Sequence, residues 1–141
     1  MKIRDYFKQI LWYIIVPFFW LGRDLSKIFG YRPFPKRQEY HLGWLNSQKN
    51  NDDFKKFLMS IGFTKNRLAW IDEEEILSLR LLKNFKYQYH LRLFSDGEIR
   101  GHYELTPEYS PFDHLHDKDT SAKEVEFKQL LGDWLVLNPE K

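Results

Sequence analysis

Apolar and polar residues alternate most regularly between Tyr87 and Leu105, YQYHLRLFSDGEIRGHYEL. Successive side chains of a strand point to opposite faces, so this pattern predicts two strands with one apolar face each. A three-residue loop at Ser95-Asp96-Gly97, with glycine in the left-handed position, pairs Leu93 with Ile99, Leu91 with Gly101, Tyr89 with Tyr103 and Tyr87 with Leu105. The opposite face then sets Arg92 against Arg100, His90 against His102 and Gln88 against Glu104. A two-residue Asp-Gly loop would oppose Leu93 to Arg100 and Leu91 to His102, and is rejected because it mixes the faces.

Upstream, Leu77, Leu79 and Leu81 alternate with Ser78 and Arg80, whereas Asp72 and Glu75 have the spacing of a helix capping box. The alternation is preferred, giving a three-strand antiparallel meander from about Ile76 to Leu105. The run Asp72 to Glu75 becomes a solvated turn or an acidic neighbour for the arginine pair. Asn51 is placed as a helix cap before Asp52, Asp53 and the apolar Phe54, Phe57, Leu58 and Ile61, with Gly62 as terminator. A second capping box, Ser121 with Glu124, precedes a helix carrying Phe127, Leu130, Leu131 and Trp134, interrupted at Gly132. The expected fold is α+β, a small antiparallel three-strand meander covered by helices, with an apolar N-terminal helix. The expected divisions are residues 1–30 as an attachment segment, 31–50 as a connector and 51–141 as the α+β domain. Tyr31, Tyr40, Trp44 and Leu45 would anchor the connector.

The segment Ile10 to Leu21, ILWYIIVPFFWL, is apolar throughout. Twelve helical residues span about 18 Å, short of the roughly 30 Å of a hydrocarbon core, so a crossing is not expected. Ile3, Phe7, Ile10, Ile14, Phe18, Leu21, Leu25 and Ile28 recur at helical spacing. Lys2, Arg4, Lys8, Arg23 and Lys27 flank the apolar middle, and Pro17 should kink or break it. No small-x-small cleavage signal follows Trp20-Leu21-Gly22, which argues against a secretory leader. Basic flanks on both sides with a belt of Trp12, Tyr13 and Trp20 suit an interfacial helix on an anionic surface. Burial against a partner protein or in this chain's own core is the alternative. The attachment residues expected on this reading are Ile10, Trp12, Ile14, Phe18, Trp20 and Leu21.

Charge changes the picture little, since 22 basic and 20 acidic residues leave a net charge of only +2. That argues against a protein that neutralises a long nucleic-acid track. An aromatic share of 18% lets few side chains fill a core and leaves surface for binding. There is no cysteine, which excludes disulfides, thiolate metal sites and cysteine nucleophiles. A cytoplasmic location, peripheral on the cytoplasmic membrane face, is expected.

The stacked His90, Arg92, Arg100 and His102 face is the candidate ligand surface, because paired guanidinium groups with imidazole donors suit an anion. The alternative is a solvated face on which Gln88 and Glu104 relieve the repulsion. His114 and His116, with Asp113 and Asp117, are candidate metal ligands if that loop is extended, with His90 or His102 completing the shell. HExxH, EF-hand, P-loop, dinucleotide-glycine and GxSxG patterns are all missing from the sequence. No catalytic residue or cofactor is assigned. The expected function is a small binding protein attached through residues 1–30 to a membrane surface or a protein partner. The rivals are a histidine-dependent phosphoester hydrolase or ribonuclease using the same face, and a structural subunit of a complex.

Overall fold

The computed structural model describes residues 3–30, 41–66, 74–109 and 123–138, with the side chains of residues 4, 5, 9, 23 and 27 left aside. Among the described residues, six antiparallel strands form one sheet: β1 (His41–Leu45), β2 (Thr64–Lys65), β3 (Glu75–Leu82), β4 (Tyr87–Phe94), β5 (Glu98–Leu105) and β6 (Leu135–Val136). Their spatial order is β2-β3-β4-β5-β1-β6. The helices are α1 (Ile3–Ile28), α2 (Asn51–Ser60) and α3 (Glu124–Leu131). The class is α+β, and the expected three-strand meander is its β3–β4–β5 centre. The sheet extends beyond it on both sides.

The central hairpin has the register that alternation and turn chemistry require. Leu93 lies opposite Ile99, Arg92 opposite Arg100, His90 opposite His102, Gln88 opposite Glu104 and Tyr87 opposite Leu105. Gly97 holds φ 86, its N–H reaches the Phe94 carbonyl at 3.0 Å, and Asp96 Oδ1 accepts from the Glu98 N–H at 2.9 Å. The turn therefore locks the pairing from within. Strand β3 begins at Glu75, with a register irregularity between Glu75 and Leu77, and the Ser95 N–H bonds the Glu74 carbonyl at 2.8 Å.

Within residues 31–50, expected as a connector, residues 41–45 form a strand, β1, between β5 and β6. A register shift between His41 and Gly43 breaks the alternation that would have announced this strand. Leu42 nevertheless joins the core and is 2% exposed.

One sheet face packs on α2 and α3. Phe54 and Leu58 of α2, Phe127 and Leu131 of α3, and Leu79, Tyr89, Leu91, Leu93 and Ile99 of the meander form one buried cluster. Gly101 is required here by close approach, since a Cβ would lie 2.4 Å from Phe127 Cε1 and 2.8 Å from Leu42 Cδ1. Trp134 stacks on Phe57 at 5.1 Å between centroids and closes the end of this layer.

The start of α2 differs from the sequence expectation, whereas Gly62, φ 101, follows its end as expected. The cap of α2 is Asn50, not Asn51: its Oδ1 accepts from the Asp53 N–H at 2.8 Å. Asn50 stands three residues before Asp53, the reach of an N-cap oxygen. Helix α3 starts after Lys123 without a side-chain cap bond and stops at Gly132, φ 54. Ser121 and Asp72 lie outside the described residues.

Helix α1 continues through Pro17, with Ser26 Oγ donating to the Gly22 carbonyl at 2.6 Å. Among the described residues, no helix is long and apolar enough to cross a membrane.

Candidate functional site

Gln88, His90 and Arg92 of β4 share a face with Arg100, His102 and Glu104 of β5, as strand alternation demands. Ser78 and Arg80 of β3 continue this layer on one side, opposite Arg92 and His90, and His41 of β1 on the other, opposite Arg100. The layer is not the solvated face weighed as the alternative. Gln88 is 0% exposed, Glu104 2%, His102 6%, His90 8% and Arg92 9%.

Burying charge demands close partners, and carboxylates supply them. Arg92 donates from Nε to Glu75 Oε2 at 2.9 Å and from Nη2 to the same oxygen at 2.5 Å. Glu75, read from the sequence as a solvated residue or an acidic neighbour, is the acidic neighbour. Arg100 Nη2 donates to Glu98 Oε2 at 2.5 Å, while His41 Nδ1 lies 2.8 Å from Glu98 Oε1. The Arg100 guanidinium and, opposed by partial burial, His41 hold the Glu98 carboxyl below its ordinary range. Glu98 in turn raises Arg100. Arg80 pairs with Glu108 at 2.8 Å and donates to Gln88 Oε1 at 3.3 Å.

The two central guanidinium groups also share an aromatic platform. Arg100 Cζ lies 4.4 Å and Arg92 Cζ 5.5 Å from the Phe94 ring centroid. Like charges opposite one another across a ladder are thus held apart by two carboxylates and a ring. Among the described residues of this layer, Arg80, Arg92 and Arg100 pair with Glu108, Glu75 and Glu98.

The histidines form a separate centre. Their rings meet edge to face at 5.0 Å, and His102 Nε2 lies 2.6 Å from Glu104 Oε2. His90 Nδ1 is 3.8 Å from Glu104 Oε1, which accepts from Gln88 Nε2 at 2.7 Å. His90 Nε2 is 3.0 Å from Ser78 Oγ. Glu104, assigned from the sequence only a charge-relieving role, sits at the junction of both imidazoles. Its position two residues from His102 on the same strand face was the available signal. His114 and His116, with Asp113 and Asp117, lie outside the described residues.

Helix α1 exposes apolar residues over much of its surface, including Tyr6, Leu11, Tyr13 and Phe19, and one sector is exposed along its whole length. Ile3, Phe7, Ile10, Ile14, Phe18, Leu21, Leu25 and Ile28 are all exposed, from 44% at Leu25 to 83% at Ile3. At about 100° per residue these eight fall within one sector roughly 80° wide. Trp12 is 5% exposed and contacts Phe19 at 5.8 Å between centroids. Lys8, half-buried, places Nζ 4.1 Å from the Tyr109 ring centroid. Trp12 and Trp20, grouped by the sequence reading with the attachment residues, turn away from the exposed stripe. Their helical angles differ from its centre by about 165° and 115°.

A small α+β protein with a charged inner layer and an apolar outer helix is thereby defined. No protein-family model, curated protein or solved structure matches the chain.

Proposed function

We propose that this chain is a small, non-enzymatic binding protein held on an anionic membrane surface by the outward stripe of α1. The observation that carries the reading is that all eight apolar residues of one helical sector face out of the fold, while Trp12 behind them is buried. Large side chains contribute about 1.5–3 kcal/mol each on full burial, so partial immersion of eight supplies ample free energy for peripheral attachment.

Charge favours lipid as the occupant. Residues 1–37 contain Lys2, Arg4, Lys8, Arg23, Lys27, Arg32, Lys36 and Arg37 against Asp5 and Asp24 alone, whereas the rest of the chain has an excess of acid. An excess of basic residues in the same stretch of sequence as the apolar stripe suits anionic headgroups above acyl chains. The layer of His90, Arg92, Arg100 and His102 receives a different role from the anion grip expected of it. Arg92 and Arg100 are already committed to Glu75 and Glu98, so an incoming anion would compete with carboxylates at 2.5 Å.

Flotation of the full chain with vesicles tests the reading. Wild type is expected to float with vesicles containing anionic lipid, less with neutral ones and less at high salt. Ile14→Glu combined with Phe18→Glu is expected to abolish flotation without loss of folding. A wild-type chain that floats with neither vesicle, yet self-associates through the same residues, would replace lipid with a protein partner.

A further inference from the structure

We propose that His90, His102 and Glu104 form a three-ligand site for a divalent transition metal of the zinc class. The ligand atoms of these three side chains all lie within 4.8 Å of one another, and all three residues are buried. They come from the two central strands, where the 90–102 pairing puts the imidazoles opposite each other and alternation returns Glu104 to the same face. Nothing in this placement depends on a loop.

The donor set selects the ion. Two imidazole nitrogens and one carboxylate oxygen suit zinc or a neighbouring first-row metal, whereas magnesium and calcium favour all-oxygen shells and copper(I) favours sulfur. Three protein ligands leave a fourth tetrahedral position for water or another donor.

The surroundings orient the ligands. Ser78 Oγ, 3.0 Å from His90 Nε2, can accept the proton there, which directs the lone pair of Nδ1 toward Glu104. Gln88 Nε2 holds Glu104 Oε1 at 2.7 Å. Such partners fix tautomer and ring angle at metal centres. The geometry needs one adjustment. Ligands about 2.0–2.1 Å from a tetrahedral ion stand about 3.3 Å apart. The His90 Nδ1 to Glu104 distance of 3.8 Å is already near that value, but the 2.6 Å contact between His102 Nε2 and Glu104 Oε2 must open by a small side-chain rotation. His102 ligates as the neutral tautomer with its proton on Nδ1, which leaves the Nε2 lone pair for the ion.

The test is titration of the chelator-treated full chain with Zn²⁺, read by calorimetry and by imidazole ¹⁵N NMR of the unaltered protein. The expected result is one ion per chain, with His90 and His102 resonances shifting together and saturating at one equivalent. His90→Gln and His102→Gln should each weaken binding at least tenfold, and Ser78→Ala about tenfold. The NMR readout does not depend on any variant folding. Absence of binding at one equivalent overturns the proposal, as do shifts confined to His41, His114 or His116 with His90 and His102 unmoved.

Discussion

The two faces of the meander arise from one alternating sequence, yet different forces hold them. On the face toward α2 and α3, Leu91, Leu93, Ile99 and Phe127 are at most 1% exposed and pack by shape. On the other, Gln88 and Glu104 are equally hidden but are held by directed bonds. Burial alone therefore does not distinguish a core from a site. The apolar face fails by losing volume, while the polar face fails by losing a partner.

Phe127→Ala should give the largest effect. It removes the ring that fills the space over Gly101, and about 3–5 kcal/mol of stability should be lost in denaturant unfolding. On the polar face, Glu75→Ala leaves the Arg92 guanidinium buried without its main carboxylate and should cost about 3 kcal/mol. Replacing both, with Glu75→Leu and Arg92→Met, should recover most of that loss, which a double-mutant cycle would measure.

The smallest effect lies at the rim, where Glu126 of α3 pairs with Lys83 and Lys123. Lys123, then Tyr89 and Lys83, pull its carboxyl down to about 2. A carboxyl depressed on folding stabilises the native state above its unfolded value of about 4.3, and that contribution disappears as pH falls toward the folded value. Glu126→Gln should accordingly cost a little stability at neutral pH, where exposure limits the contribution, and flatten the dependence on pH between about 4 and 2, so that variant and wild type converge at the acid end.

Sequence alternation yielded the hairpin register residue by residue, because the Ser95-Asp96-Gly97 turn and the two apolar strands constrain each other. It failed where strands are too short to have a period: β2 and β6 contain two residues each, and β1 is broken by its register shift. Those strands form through tertiary pairing. The arginine and histidine face was legible as a set. Its burial was not, since alternation separates two faces without saying whether the polar one meets water. Similarly, the eight-residue stripe of α1 was visible as a period, but the inward turn of Trp12 appears only when each residue is assigned an angle.

The central claim is that the outward sector of α1, and not its Trp12 side, meets lipid. The absence of native cysteine allows a single labelling site to be placed anywhere in the full chain. The decisive measurement compares Ile14→Cys, Phe18→Cys and Val16→Cys, each labelled with a nitroxide and read for accessibility to an aqueous relaxation agent before and after addition of anionic vesicles. The account predicts that positions 14 and 18 become protected while position 16 is unchanged. Protection at position 16 with 14 and 18 still open to water, or no change at any of the three, would contradict it.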